Sequence, residues 1–342
     1  MKTNRIGIIT LPLHQNYGGV LQAYALCHIL KEKGFSPHVL ENKTITIKQR
    51  IKDLIDKRCR ISRFIIRHIP IINTDYNDLY NFCVKNNIDT IIVGSDQIWR
   101  SDYVDVCVSY CTWLQHENIK CISYAASFGF ENWRYSKKDT ENAKKGIKHF
   151  KYISVREKSA VELLRKHLGV EATHVLDPTI LVDASVYKNM CHPITEKFIF
   201  SYLLDYSNKD NIECLKMLHS YYDLPIKRIF LTKNKIIKRL HSSPGIEDWL
   251  SLINGAQLMV TDSFHGVVFS IILKTPFYVL LNGKGGNSRI YSLLDSFGLK
   301  DRLITSLNEI NYTPIDWESV YFRLNKMKEK SIAFLLKALC DY

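Results

Sequence analysis

A chain of 342 residues is long enough to form one large or two medium-sized domains, each with its own hydrophobic core. Its 46% hydrophobic and 24% charged residues are ordinary for a globular protein, and no apolar run approaches the roughly 20 residues of a membrane-spanning helix. The formal net charge of +13 leaves nucleic acid, an anionic membrane surface and a phosphorylated substrate open as partners, because charge alone does not distinguish them.

The N-terminus and the cysteines indicate a cytoplasmic protein. The opening residues, MKTNRIGIITLPLHQNYGG, lack the long apolar segment and the cleavage site of a signal peptide, and residues 6–13 instead resemble a first strand. The nine cysteines are an odd number, and the close pair Cys107 and Cys111 has no second pair or histidine cluster at zinc spacing. We therefore expect reduced cysteines, several of them buried, and no metal site.

The first 40 residues predict a strand, a helix and a second strand. Residues 5–13 are rich in β-forming residues and end in the loop HQNYGG. Apolar residues at helical spacing predict a helix that ends near Gly34, and residues 37–40 predict the next strand. The loop then lies at the carboxyl end of the first strand, where open α/β sheets bind ligands.

Residues 43–69 interrupt this alternation with a basic amphipathic stretch. Isoleucine and leucine recur at helical spacing, while nine lysine and arginine residues face only Asp53 and Asp56. One interpretation is a covering helix with a solvated basic face. The other is peripheral docking on an anionic lipid surface, such as the inner membrane face, or on a diphosphate lipid.

Short β-like runs then alternate with polar loops along the rest of the chain. Up to residue 180 these runs lead into GSDQIW, ASFG, REKS and DPT, and a second cycle of strands and helices follows. The lysine-rich segment 319–339 predicts a C-terminal helix. We therefore predict an α/β protein with two Rossmann-like domains facing a cleft, residues 1–180 and residues 181–342, and a C-terminal helix that could pack back on the first domain.

The stretch TDSFHG, residues 261–266, connects an apolar run to a helical pattern. A helix that begins after this loop offers free backbone N–H groups and a positive dipole end to an anion. Asp262 or Ser263 could simply cap that helix, and His265 could simply be a packed histidine. Gly266 beside it allows a ligand or a backbone segment to approach closely.

Six motifs in a fixed order resemble those of the polysaccharide pyruvyl transferase family. They are NYGGVLQAYAL (16–26), VGSDQIW (93–99), SYAASFG (123–129), SVRE (154–157), LDPT (176–179) and TDSFHG (261–266). Members of this family are similar to two-domain GT-B glycosyltransferases. They transfer the pyruvyl group of phosphoenolpyruvate onto two hydroxyls of a sugar, which forms a cyclic ketal and releases phosphate.

The resemblance implies an enzyme of surface-polysaccharide biosynthesis, of the exopolysaccharide or capsule type. Its co-substrate would be phosphoenolpyruvate, and it would need no cofactor and no metal. The acceptor would be a carbohydrate, with or without a lipid link. The first domain would be the acceptor side and the second would hold the donor.

The resemblance also implies roles for individual residues. His265, in the family's HG motif, would contact phosphate and act as general acid, Arg156 would bind the donor's carboxylate or phosphate, and Asp96 would be the general base for the acceptor hydroxyl. The remaining donor-binding positions would be Ser263, Gly266, Lys284 and Arg289, and the acceptor-binding positions would be Asn16, Tyr17 and Gly18. The structural alternatives are a helix-start salt bridge from Arg156 to Glu157 and a turn-forming Asp96.

One position departs from the family pattern. Many members carry an arginine two residues before the histidine, where this chain has Ser263, so the helix N-terminus with Lys284 or Arg289 would have to supply the positive charge. The main alternative function is a GT-B glycosyltransferase with a nucleotide-sugar donor. A nucleic-acid-binding protein is disfavoured, because the basic residues are spread along the chain and no nucleic-acid-binding motif accompanies them.

Overall fold

The computed structural model describes residues 5–13, 16–42, 60–116, 118–229, 244–283, 285–304 and 310–341. In these ranges strands and helices alternate, and the paired strands of the three sheets run parallel. The α/β fold class is thereby confirmed. The chain divides into two compact units: one comprises Met1–Lys52, Ser62–Val182 and Lys326–Tyr342, and the other comprises Asp53–Ile61 and Asp183–Asn325.

Up to Leu181 the chain forms eight strands and seven helices in the described ranges. They are β1 (Arg5–Ile9), α1 (Tyr17–Glu32), β2 (Ser36–Asn42), α2 (Arg60–His68), β3 (Ile71–Thr74), α3 (Leu79–Lys85), β4 (Ile88–Val93), α4 (Val106–Ser109), β5 (Lys120–Ser123), α5 (Lys137–Gly146), β6 (Phe150–Tyr152), β7 (Ser154–Val155), α6 (Lys158–Leu168), β8 (Thr173–His174) and α7 (Pro178–Leu181). The main sheet has the order β3-β2-β1-β4-β5-β6, and β7 pairs with β8. This order brings the carboxyl ends of β1 and β4 together.

Helix α1 is buried on nearly every face. The apolar spacing in the sequence predicts one buried side. In the structure, however, every residue of the helix except His28, Lys31 and Glu32 is buried. The helix packs against β2 and α7, and the side chains on its other faces are themselves apolar or small, as in helices that lie inside a core.

From Asp183 onward the chain forms five strands and six helices in the described ranges. They are α8 (Ala184–Lys188), β9 (Ile199–Tyr202), α9 (Lys209–Tyr222), β10 (Ile226–Arg228), α10 (Ile246–Gly255), β11 (Leu258–Thr261), α11 (Phe264–Leu273), β12 (Phe277–Leu280), α12 (Asn287–Phe297), β13 (Leu303–Ile304) and α13 (Trp317–Cys340). The sheet order is β10-β9-β11-β12-β13. Strands β9, β11 and β12 are buried over their whole length, as expected for parallel strands covered on both faces.

The end of α13 is held by Lys120 of β5. Its ammonium group donates to the carbonyl oxygens of Ala338 at 3.2 Å, Leu339 at 3.0 Å and Asp341 at 2.6 Å. Ala338 and Leu339 lie in the last helical turn and Asp341 follows it, so their carbonyls are at the end where a helix lacks internal donors and a lysine is well suited to satisfy them.

The basic stretch 43–69 is described only from Arg60, and residues 43–59 lie outside the described ranges. Over Arg60–His68 the predicted amphipathic helix is present: Ile61 and Ile65 are buried, while Arg63 and Arg67 are exposed. Peripheral membrane contact therefore stays a prediction. Within the described residues, no helix is both long and apolar enough to span a bilayer.

Candidate active site

Asp96 lies in a strained loop directly after β4. Gly94 has φ of 129°, and a Cβ atom there would come within 2.1 Å of the carbonyl oxygen of Tyr124, so this position accepts only glycine. Asp96 itself is in the left-handed region with φ of 68°, and its backbone pairs with Ala126, which in turn pairs with Val155. The motifs VGSDQIW, SYAASFG and SVRE therefore meet at one edge of the sheet.

Arg156 lies beneath this edge, between two buried carboxylates. Its guanidinium donates to Asp177 Oδ2 at 2.6 Å and to Asp96 Oδ1 at 3.0 Å, and its side chain is 1% exposed. Burial by itself lowers the pKa of Arg156, but the charges of Asp177 and Asp96 outweigh it and raise the pKa above its ordinary value. A direct contact of Arg156 with a donor molecule would require these ion pairs to open.

The acceptor-side residues predicted from the sequence separate into two groups. Asn16 is exposed at the N-cap of α1, where its side-chain oxygen accepts from the Gly19 amide at 3.3 Å. Tyr17 is 1% exposed and Gly18 is also buried, so both face the interior of the first unit. Gly19 is buried too, and it faces Asp96: a Cβ atom placed on it would lie 3.6 Å from Asp96 Oδ2.

Asn16, Gly19 and Asp96 line one cavity of about 370 Å³ together with Leu11, Pro12, Asp102 and Tyr103. Behind it, the Gln22 side chain accepts from the Ser95 amide at 3.2 Å and donates to the Thr10 hydroxyl at 3.0 Å. Gln22 thus ties α1 to the loop that carries Asp96.

In the second unit, Asp262 connects three loops at the carboxyl edge of the sheet. Its carboxylate accepts from the amides of Leu204 at 2.6 Å and Asp205 at 3.0 Å, and from the Asn282 side chain at 3.3 Å. Burial raises the pKa of Asp262, and the backbone hydrogen bonds counteract this only in part. Asp262 therefore organises the ends of β9, β11 and β12 and does not cap the helix.

The helix cap is Ser263, one of the two residues that the sequence offered for this role. Its hydroxyl accepts from the Gly266 amide at 3.4 Å, and α11 begins at Phe264. His265 lies in the first turn of this helix and is 6% exposed. The helix N-terminus and an imidazole are thereby placed together at the end of β11.

Gly266 permits close packing inside the unit. A Cβ atom on it would lie 2.4 Å from the Thr261 hydroxyl oxygen and 3.0 Å from the Met259 methyl group. The sequence raised close approach of a ligand or of a backbone segment; the close neighbours of Gly266 are instead side chains of the same unit.

Arg289 is a predicted donor-site cation that lies near the TDSFHG loop in the structure. It lies in the first turn of α12, and its guanidinium carbon is 5.7 Å from the centre of the Phe264 ring, beside His265. Lys284, the other predicted cation, lies outside the described residues.

Sequence reasoning missed the residues that hold the site in place. Asp177 belongs to the LDPT motif, and its position before a proline that begins a helix marks it as an N-cap; it accepts from the Thr179 amide at 3.0 Å while its other oxygen binds Arg156. Asn282 and Gln22 gave no comparable signal, because an isolated amide side chain is common in loops and on helices.

Comparison with solved structures shows the type of fold. A UDP-GlcNAc 2-epimerase from Methanocaldococcus jannaschii is similar with a TM-score of 0.54 and 14% identity, covering 97% of this chain and 98% of that one. A glycosyltransferase from Rickettsia africae is similar with a TM-score of 0.55 and 10% identity over 100% of both chains. At such identities the likeness concerns the fold alone, which is of the GT-B type predicted from the sequence.

Comparison with protein families is more specific, although no curated protein matches the chain. The family model described as polysaccharide pyruvyl transferase matches residues 16–284. This range contains the Asp96 loop, Arg156 and the TDSFHG loop, and it is well over half of the 342 residues. The chain therefore belongs to the polysaccharide pyruvyl transferase family and is a transferase.

Proposed function

We propose that this protein transfers the pyruvyl group of phosphoenolpyruvate onto two hydroxyls of a sugar and releases phosphate. The sugar would belong to a surface polysaccharide or to its lipid-linked precursor. The observation that carries the proposal is the arrangement at the end of β11, where Ser263 caps α11, His265 lies in its first turn and Arg289 lies against Phe264. A helix N-terminus with an imidazole and a guanidinium is suited to an anion with carboxylate and phosphate groups.

The reaction needs three proton transfers, one to the methylene carbon and one from each of two hydroxyls, and stabilisation of one leaving group. A proton is delivered to the methylene carbon of phosphoenolpyruvate, which makes C2 electrophilic, and one sugar hydroxyl attacks C2 as it loses its proton. The second hydroxyl then displaces phosphate from the same carbon. One hydroxyl proton restores the acid and the other leaves with the phosphate, so atoms and charges balance.

On the donor side we assign the acid to His265 and the anion contacts to Ser263, Arg289 and the first amides of α11. His265 is 6% exposed. In this proposal the ligand contacts one edge of its ring, and the rest of the side chain stays packed. The missing arginine at position 263 is compensated in this proposal by Arg289 and the helix dipole. Lys284 and Gly266 stay predicted donor contacts.

On the acceptor side we assign the base to Asp96. One of its oxygens is held by Arg156 at 3.0 Å and the other faces Gly19 at the cavity that Asn16 lines. A carboxylate that lines a cavity and is held in place by a guanidinium can accept a proton from a hydroxyl bound there. We therefore propose that Arg156 acts by positioning Asp96, and that Asn16 and Gly19 contact the sugar.

The test is a donor panel with phosphate or nucleotide release as the measured signal. Phosphoenolpyruvate and a set of nucleotide sugars are offered separately with glycan acceptors, and products are identified by mass. Acceptor-dependent phosphate release from phosphoenolpyruvate, lost in His265→Ala and in Asp96→Asn, supports the proposal. Turnover of a nucleotide sugar in its place would show the alternative glycosyltransferase.

A further inference from the structure

A second cavity in the first unit lies at the carboxyl ends of four neighbouring strands. Its volume is about 520 Å³. The lining residues follow β1 (Thr10 and Pro12), end β2 (Glu41 and Asn42), follow β3 (Tyr76 and Asn77) or lie between β4 and β5 (Tyr103, Val104, Asp105, Cys107, Val108 and Trp113). Such a crevice at the carboxyl edge of a parallel sheet, within the size range of small-molecule sites, is a typical ligand position.

Three aromatic side chains contribute to this lining, and two of them are fixed. The Tyr76 hydroxyl donates to the Leu40 carbonyl at 2.8 Å, and burial raises the pKa of Tyr76 to about 12, so the ring stays neutral. The Trp113 indole donates to the Val108 carbonyl at 3.4 Å. Tyr103 is 51% exposed, and the Arg100 guanidinium lies over one face of its ring, 4.1 Å from the ring centre, so a ligand would contact the other face.

The charged groups of the cavity are acidic, in contrast to the net charge of +13 of the whole chain. Glu41 is 4% exposed and accepts from the Leu13 amide at 3.3 Å, while Asp105 accepts from the Cys107 amide at 2.7 Å. No lysine or arginine occurs among the lining residues that the structure describes. Carboxylates accept hydrogen bonds from hydroxyls and disfavour a second anion nearby.

The cavity that contains Asp96 adjoins this one. Pro12 and Tyr103 line both of them. A molecule that presents one ring to Asp96 can therefore extend past Tyr103 into the larger cavity. In the larger cavity, the C–H face of the second sugar ring could pack on aromatic side chains. Its hydroxyls could form hydrogen bonds with amide and carboxylate groups.

We propose that the cavity lined by Tyr76, Tyr103 and Trp113 binds the second sugar ring of a neutral glycan acceptor. This inference rests on the proposed pyruvyl transfer at Asp96 for the place of the first ring, but binding in the cavity requires no donor. It implies that the enzyme recognises an acceptor of at least two sugar units and selects against uronic acids and phosphorylated sugars at that position.

The test measures binding of defined glycans by saturation-transfer NMR and titration calorimetry without phosphoenolpyruvate. The probes are lactose, cellobiose and diacetylchitobiose, their monosaccharides, and a glucuronic-acid-containing disaccharide. At least one neutral disaccharide is expected to bind more tightly than its monosaccharides and more tightly than the anionic disaccharide. Tyr103→Leu is expected to weaken that binding roughly 3–10-fold, the range for loss of one aromatic contact.

Tyr221→Leu is the matched control, since Tyr221 is a similarly exposed tyrosine in the second unit, at 59%. It should leave disaccharide binding unchanged. Asn77→Ala provides a second variant at an exposed position, and it should also weaken binding. Trp113 is less suited because it packs against the hydrophobic core.

The proposal is overturned if none of the neutral disaccharides binds, if the anionic disaccharide binds as well as they do, or if neither Tyr103→Leu nor Asn77→Ala weakens binding. Failure of the proposed reaction would look different. In that case the disaccharides would bind in a Tyr103-dependent manner, but phosphoenolpyruvate would release no phosphate.

Discussion

Replacement of Arg156 by methionine tests whether this residue is an internal ion-pair partner. The side chains of Arg156, Asp96 and Asp177 are 1%, 4% and 0% exposed, so the variant removes the Arg156 guanidinium from two buried carboxylates. Removal of one partner from a buried ion pair costs about 3–5 kcal/mol, because the remaining charge stays desolvated. We expect a loss of that size in the free energy of unfolding of the first unit.

The assay is hydrogen exchange of the β4, β5 and β7 amides, which reports the stability of the first unit separately. Arg165→Met is the control: Arg165 pairs with Glu162 at an exposed position, where loss of the pair costs about 1 kcal/mol or less. Adding Asp96→Asn and Asp177→Asn to Arg156→Met should recover most of the loss, since no uncompensated charge is left. A stability change below about 1 kcal/mol, together with a raised KM for phosphoenolpyruvate alone, would refute this reasoning and restore Arg156 as a donor ligand.

Three further predictions concern the local structure. Gly266→Ala should lower stability by about 1–3 kcal/mol, because the added methyl group would lie 2.4 Å from the Thr261 hydroxyl; an unchanged Tm would contradict this packing. The pKa of Asp248 is below its usual value of 3.8, since the Gly245 amide and Arg60 outweigh the effect of burial. Asp248→Asn should therefore lower the free energy of unfolding by about 1 kcal/mol at pH 7. In urea unfolding, the difference from the wild type should disappear as the pH falls below 3.8, and a difference that persists in acid would exclude this cause. Lys120→Met should accelerate amide exchange in the last turn of α13 while the exchange in α11 stays as in the wild type, because the Ala338 and Leu339 carbonyls lose the lysine donor, although Asp341 still accepts from Lys151.

The fold was largely predictable because its strands are short apolar runs that end in polar motifs. Helix α1 ends at Glu32, close to the predicted end near Gly34, and β2 (Ser36–Asn42) contains the predicted strand 37–40. Helix α5, KKDTENAKKG, was not predicted, since this polar helix buries little more than Ala143 and Gly146. Such a helix is defined by its Ser136 cap and by tertiary contacts more than by apolar periodicity.

The site was predictable in its motifs and less so in its geometry. Asp96 and Asn16, both expected on the acceptor side, line one cavity. Arg289, expected on the donor side with His265, lies 5.7 Å from the ring centre of Phe264, the residue before His265. The inward direction of Arg156 was not predictable, because an arginine after a strand can equally face solvent. Its burial depends on Asp177, which comes 21 residues later and reaches it only in the folded chain.

The most direct test of the proposed function is acceptor-dependent phosphate release from phosphoenolpyruvate by the purified full chain, with the glycan product analysed by mass. We expect phosphate and a pyruvyl ketal in equal amounts, with loss of both in His265→Ala and retention of both in Tyr221→Leu. Release of a nucleotide from a nucleotide sugar, with no phosphate from phosphoenolpyruvate for any acceptor, would contradict it.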